Sequence, residues 1–190
     1  RARVDLRKAL TRPGDLTPDE RNALGLAREW LKTIPWYVDE RKGLTSEQIR
    51  SAAYQARSEL ARTGKRLELI TIDYYQLLGG NARAGRNPTR ERELNLGGLD
   101  IVHLAEELGV PILMGAQVTP DGAEIKNCKS MKDHTQNWLH IKLGKPVDPG
   151  DPHGPKDCTL HVRKGRNTGA GRVGAYFDGR HQTFSNEAYE

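Results

Sequence analysis

Between Leu67 and Gln117 the chain runs apolar stretch, amphipathic stretch, apolar stretch, and this order constrains the fold more than any other feature. "LELITID" (Leu67–Asp73) and "VPILMGAQ" (Val110–Gln117) read as strands. Their near-continuous apolar character is that of strands buried on both faces, as in a parallel sheet. The segment from about Arg90 to Leu108 places Ile101, Leu104, Ala105 and Leu108 at helical spacing. Strand, helix, strand in this order is a right-handed crossover unit with its two strands parallel. Gly97-Gly98 falls inside the helical pattern. Each glycine costs about 1 kcal/mol relative to Ala there, so the pair predicts a break or a close packing contact.

Two helices precede this unit. Thr17-Pro18-Asp19-Glu20 is an N-cap, a proline at the first helical position and a Glu three residues after the cap. Ala23, Leu24, Ala27, Trp30 and Leu31 follow on one face. Thr45-Ser46-Glu47-Gln48 is a second capping box, with a stripe of Ile49, Ala52, Ala53, Ala56 and Leu60. "IPWYVDE" (Ile34–Glu40) between them reads as a short strand. After Gln117 the grammar changes. Strands near Gln136–Leu143, Asp157–Arg163, Arg172–Phe177 and Thr183–Phe184 leave no room for helices between them, so they predict an antiparallel extension of the sheet. "GKPVDPGDPHGPKD" (Gly144–Asp157), with four Pro and three Gly, is the connection between two of them. The expected fold class is α/β in one domain, with 1–66 a helical lead-in, 67–117 the parallel core and 118–190 a β region.

Composition narrows the function classes. With 190 residues the chain can bury a real core, and a net charge of +5 favours nucleic acid only weakly. Cys128 and Cys158 lie 30 residues apart without a CxxC pair, which fits a reducing cytoplasm better than a disulfide framework. The six His show no HxxxH spacing and no neighbouring Cys, so a structural zinc is not expected. No stretch reaches the ~20 apolar residues of a membrane-spanning helix.

In an open parallel sheet ligands bind at the carboxyl ends of the strands. Asp73 and Gln117 stand at two such ends. A carboxylate there suits a Mg²⁺ ion held largely through water, and an amide there can orient a water or sense a phosphate. Spacing alone leaves the plainer reading equally open, in which Asp73 caps a loop and Gln117 is an ordinary polar strand end. "GGNARAGRNPTRER" (Gly79–Arg92) carries four Arg and one Glu, including Arg83, Arg86 and Arg90, a composition suited to phosphate contact without base readout. "EIKNCKSMKD" (Glu124–Asp133) supplies Lys126, Asn127 and Lys129 as a second candidate. The plain alternative for both is a solvated charged loop.

"PWYVDERKGLTSEQIRSAAYQAR" followed by "LELITIDYYQLL" resembles the approach to the Walker B strand in DnaB-type replicative helicases. The similarity continues through "HLAEELGVPILMGAQV" and ends in "HVRKGRNTGAGRVGAYFDGRHQTFSN", with the motifs in the family's order over nearly the whole chain. The resemblance implies a RecA-like core, ATP and Mg²⁺ as cofactors, single-stranded DNA as the track, and identical subunits in a hexameric ring. It also implies a primase and a helicase loader as partners. By the same resemblance Asp73 is the Walker B carboxylate acting on Mg²⁺. Gln117 couples the γ-phosphate to a DNA-binding loop, and Lys164 and Arg166 reach into the neighbouring subunit's nucleotide site. Lys126-Asn127-Cys128-Lys129 aligns with the family's channel loop but departs from its usual Arg-Glu-Ser-Gly.

No G-x-x-x-x-G-K-[ST] phosphate loop occurs in these residues; "TGKR" and "LGKP" lack both the glycine spacing and the hydroxyl. In the family that loop and its strand lie upstream of the region matching Arg1. The expected core is therefore incomplete, and negligible ATP hydrolysis is expected of this polypeptide alone. Two readings follow: the downstream part of a larger helicase, or a degenerate relative serving as a non-catalytic nucleic-acid-binding or assembly module. Retention of Asp73, Gln117, Lys164 and Arg166 together favours the first.

Overall fold

The computed structural model describes residues 2–119, 122, 124–128, 130–151 and 154–186. In chain order its elements are helices α1 (Leu6–Thr11), α2 (Pro18–Thr33) and α3 (Ser46–Arg62), strand β1 (Ile70–Ile72), α4 (Arg90–Leu108), β2 (Ile112–Met114) and α5 (Met131–His134). Strands β3 (Asn137–Pro146), β4 (Lys156–Gly165), β5 (Gly171–Asp178) and β6 (Thr183–Ser185) follow. These group into two compact units, one of Pro35–Gln136 and one that joins Arg1–Ile34 to Asn137–Glu190.

In the first unit β1 and β2 pair in parallel, Ile70 opposite Ile112 and Ile72 opposite Met114, with α4 as the crossover. Helix α4 spans the expected residues. Thr89 caps it by accepting from the Arg92 N–H, and it stops at Gly109, whose φ of +64° is the left-handed turn that favours glycine. The Gly97-Gly98 pair does not break it. Close packing is the reason Gly98 is there: a Cβ on it would stand 3.1 Å from Tyr75 Oη and closer still to Met131 Sδ. The capping box of α3 forms as predicted, Thr45 accepting from the Gln48 N–H and Gln48 reaching back to Thr45. Its Ala53 joins Leu104, Leu108 and Val110 in one buried cluster, against which Ile49, Ile70 and Ile112 pack. A second cluster gathers Tyr75, Leu78, Leu94, Ile125, Cys128 and Met131.

Two expectations fail here. The parallel pair is not buried on both faces: Leu69 and Leu113 are 52% and 65% exposed, because α3 and α4 cover one face only. "IPWYVDE" is not a strand. Trp36, Tyr37 and Val38 are exposed, and extended backbone without a neighbouring strand among the described residues has no ladder to join.

In the second unit β3 to β6 form a four-stranded antiparallel meander, each strand beside its sequence neighbour. It is a sheet of its own rather than an extension of β1–β2. Strand β3 runs three residues and β4 one residue further into the proline-rich connection than expected, and the Val147 N–H meets the Pro155 carbonyl at 2.8 Å. The capping box at Thr17 and Glu20 starts α2 as predicted. The α2 stripe is half-covered rather than buried, with Trp30 44% exposed. Helix α1, not anticipated from the sequence, starts at Asp5, whose carboxylate accepts from the Lys8 N–H at 3.0 Å. The Lys8 ammonium meets Glu20 at 2.6 Å. No helix is long and apolar enough to cross a membrane among the described residues.

Candidate functional site

The carboxyl ends of β1 and β2 are tied to one another. The Gly115 N–H donates to the Ile72 carbonyl at 3.0 Å, and the Gly115 carbonyl accepts from the Tyr75 N–H at 2.8 Å, so these bonds straddle Asp73. Asp73 is exposed, and its Oδ1 lies 3.7 Å from where a Cβ on Gly115 would stand. No hydrogen-bond or ion-pair partner meets its carboxylate among the described residues. An open carboxylate on a rigid strand end fits Mg²⁺, which keeps several waters and takes one or two carboxylates besides phosphate oxygens.

Directly after it, Tyr75–Leu77 forms a single 3₁₀ turn. Tyr75 points inward and is fully buried; its hydroxyl donates to the Leu94 carbonyl at 2.6 Å and lies 3.1 Å from Cys128 Sγ. Burial first, and the Cys128 contact second, push its hydroxyl well above the usual phenol range, so it stays a neutral donor. Gln76 points the other way. Its Nε2 donates to the Gln117 carbonyl at 2.9 Å and to the Lys126 carbonyl at 3.0 Å, while its Oε1 accepts from the Gln117 N–H at 3.0 Å. The Lys126 N–H also reaches the Gln117 carbonyl at 2.9 Å, and Val118 bridges to Ile125. Gln117 and Lys126 are thus the two feet of one loop, and both stand on Gln76.

Other predicted residues are placed as follows. Lys126 and Asn127 are exposed at the end of that loop, Asn127 with φ +62°; Lys129 lies outside the described residues. Arg86 is exposed. Arg83 and Arg90 are engaged within their own unit. Arg83 pairs with Asp100, which also accepts from Ser46 Oγ at 2.7 Å and Asn81 Nδ2 at 2.8 Å. Arg90 donates to the carbonyls of Gln76 (3.1 Å) and Leu78 and pairs with Glu93 at 3.0 Å. Burial pushes the Asp100 carboxyl up, but the bonds from Ser46, Arg83 and Asn81 outweigh it and hold the group below its ordinary value. These Asp100 and Gln76 anchors were missed at the sequence level, where a lone Asp on a helix and a Gln after a strand carry no distinguishing signal.

Lys164 and Arg166 belong to the other unit. Lys164 is near the end of β4 opposite Trp138, and Arg166 is exposed on the β4–β5 hairpin. A Cβ at Gly165 would stand 2.6 Å from the Gly169 carbonyl, so the hairpin closes there only around a glycine. A cavity of about 630 Å³ in the same unit, lined by Arg7, Arg12, Lys156, Phe177 and Arg180 among others, holds none of the predicted residues.

The sequence matches the profile of the DnaB-like helicase C terminal domain over residues 1–186. The chain belongs to that family. Among curated relatives, the replicative DNA helicase DnaB of Nostoc sp. is 35% identical over 108 residues, 57% of this chain and 11% of the relative. DnaB of Geobacillus stearothermophilus is 30% identical over 108 residues (57% and 22%), and that of Mycobacterium leprae 26% over 176 residues (87% and 28%). The match thus spans less than a third of each of these relatives. Two solved structures share the fold, each at 16% identity over 98% of this chain. One is an ATPase domain, with a TM-score of 0.79 and 67% of that chain covered. The other is a DnaB-like replicative helicase described with its interactions with primase, at 0.76 and 46%. The α/β fold, with a small parallel sheet, its helices and an antiparallel sheet, is that of these RecA-like ATPase domains.

Proposed function

We propose that this chain is the downstream part of the ATP-driven motor of a replicative DNA helicase, working in the cytoplasm as a ring of identical subunits. The observation that carries this reading is the tied pair of strand ends, which presents an open carboxylate at Asp73 and, through Gln76, the feet of the Gln117–Lys126 loop. Membership of the DnaB-like family supports it. Asp73 would hold Mg²⁺, which when bound to ATP neutralises charge on the β- and γ-phosphates. Gln117 would orient the group facing the terminal phosphate. Lys164 and Arg166 would complete the site of the next subunit, where a guanidinium offsets charge on the transferred phosphoryl oxygens. Lys126, Asn127 and Lys129 with Arg86 would carry the contact to single-stranded DNA, since Arg83 and Arg90 already serve their own unit. A primase and a loader would meet the assembled ring.

The test uses the complete protein that contains this chain. Asp73→Asn and Arg166→Ala should each abolish Mg²⁺-dependent ATP hydrolysis and strand separation while the ring still assembles. In a ring with heterologous interfaces, an equal mixture of the two variants restores about a quarter of the composite sites, and hydrolysis should recover accordingly. Hydrolysis left intact by Arg166→Ala, or no recovery on mixing, refutes the shared-site reading and favours a non-catalytic binding or assembly module.

A further inference from the structure

The geometry points to Gln76 as the positioning residue that links the metal-side turn after β1 to the DNA-side loop, so that stimulation of ATP hydrolysis by single-stranded DNA passes through its side-chain amide. This rests on the helicase reading above and adds to it a residue with no assigned part.

A primary amide is both donor and acceptor, and Gln76 uses both functions. It receives the Gln117 N–H and donates to the Gln117 carbonyl, so it pairs with that residue as a neighbouring strand would. Its remaining donor capacity goes to the Lys126 carbonyl, across the neck of the loop. The main chain of Gln76 is fixed independently. It follows the Tyr75 bond to Gly115, its carbonyl accepts from Arg90, and the turn that holds it is pinned by the buried Tyr75 hydroxyl on Leu94. Only Tyr74 and Tyr75 separate Gln76 from Asp73, within the strand end and its tight turn. Movement of the Asp73 carboxylate therefore reaches Gln117 and Lys126 through one rigid turn and one amide. Conversely, a pull on the exposed Lys126–Asn127 foot is felt at the Asp73 end.

No other side chain reproduces this. A carboxylate of the same length accepts but does not donate, and would face two carbonyl oxygens. Protonation would return only one donor where the amide supplies two. An aliphatic side chain of similar size loses every bond at all pH values.

The experiment compares the complete parent protein with Gln76→Leu and Gln76→Glu, using an oligo-dT strand as the DNA probe. The readout is the ratio of ATP hydrolysis with DNA to that without, alongside ring assembly by light scattering. Both variants should assemble, with the ratio falling about tenfold near pH 8. An unchanged ratio in either variant at pH 8 overturns the proposal. So does failed assembly or equal loss of hydrolysis with and without DNA, which would make Gln76 a structural residue only. A parent protein with no Mg²⁺-dependent hydrolysis overturns the helicase reading itself, and this inference with it.

Discussion

The two adjacent glycines of α4 should respond to the same substitution in opposite ways. Gly97 and Gly98 are both buried mid-helix, so Ala at either position gains the same helix propensity, about 1 kcal/mol. Space separates them. A Cβ at Gly97 would meet Leu78 Cδ1 at 3.5 Å, an ordinary contact. At Gly98 it would press on Met131 Sδ, with Met131 Cε at 3.2 Å and Tyr75 Oη at 3.1 Å. Met131 is 2% and Tyr75 0% exposed, so neither can move outward without opening the cluster that also holds Leu94 and Cys128. Forced overpacking of this kind costs about 1–3 kcal/mol. Gly97→Ala should therefore stabilise by about 0.5–1 kcal/mol, and Gly98→Ala should lie between neutral and about 2 kcal/mol destabilised. The propensity gain cancels in the difference, which isolates packing at about 1–3 kcal/mol. Urea midpoints of the two variants at equal slope measure it. Adding Met131→Ala to Gly98→Ala should relieve part of the cost, a favourable coupling visible in the double-mutant cycle. Equal stability of the two single variants, or a more stable Gly98→Ala, would refute the packing argument.

Two further predictions come from side-chain hydrogen bonds within the first unit. Tyr75→Phe removes the hydroxyl that donates to the Leu94 carbonyl and should cost about 1–2 kcal/mol in urea unfolding; no change would show that bond to be dispensable. Asp100 is held below its ordinary value of 3.8, so the stability it confers is complete above that value and is lost as pH falls through 3.8 and on through the lower folded value. Asp100→Asn should accordingly flatten the acid limb of the stability-against-pH curve, and an unchanged limb would refute the assignment.

The starts of α2 and α3 were legible because a capping box is a contact between residues three apart. Thr17 with Glu20 and Thr45 with Gln48 meet whatever the rest of the chain does. The Asp5 cap of α1 had the same local form, but six residues show too little periodicity to be read as a helix. The antiparallel strands were legible from their spacing, and β3 to β6 pair in sequence order. Their separation from β1–β2 was not, since pairing partners are chosen across the fold. "IPWYVDE" has strand composition and no strand partner among the described residues.

The site divides along the same line. Residue types and order, Asp73 at a strand end, Gln117 at the next and a basic hairpin at Lys164 and Arg166, are properties of the sequence alone and carried the family resemblance. Which cations would be used internally was decided only by the tertiary structure. Arg83 and Arg90 sat in an arginine-rich run that looked uniform, yet Asp100 and the carbonyls of Gln76 and Leu78 lie close to these two in space. Gln76 finds its partners 41 and 50 residues away, across the crossover helix. Local hydrogen bonds are encoded within a turn of chain, whereas a side-chain amide takes whichever backbone the packed core brings within about 3 Å of it.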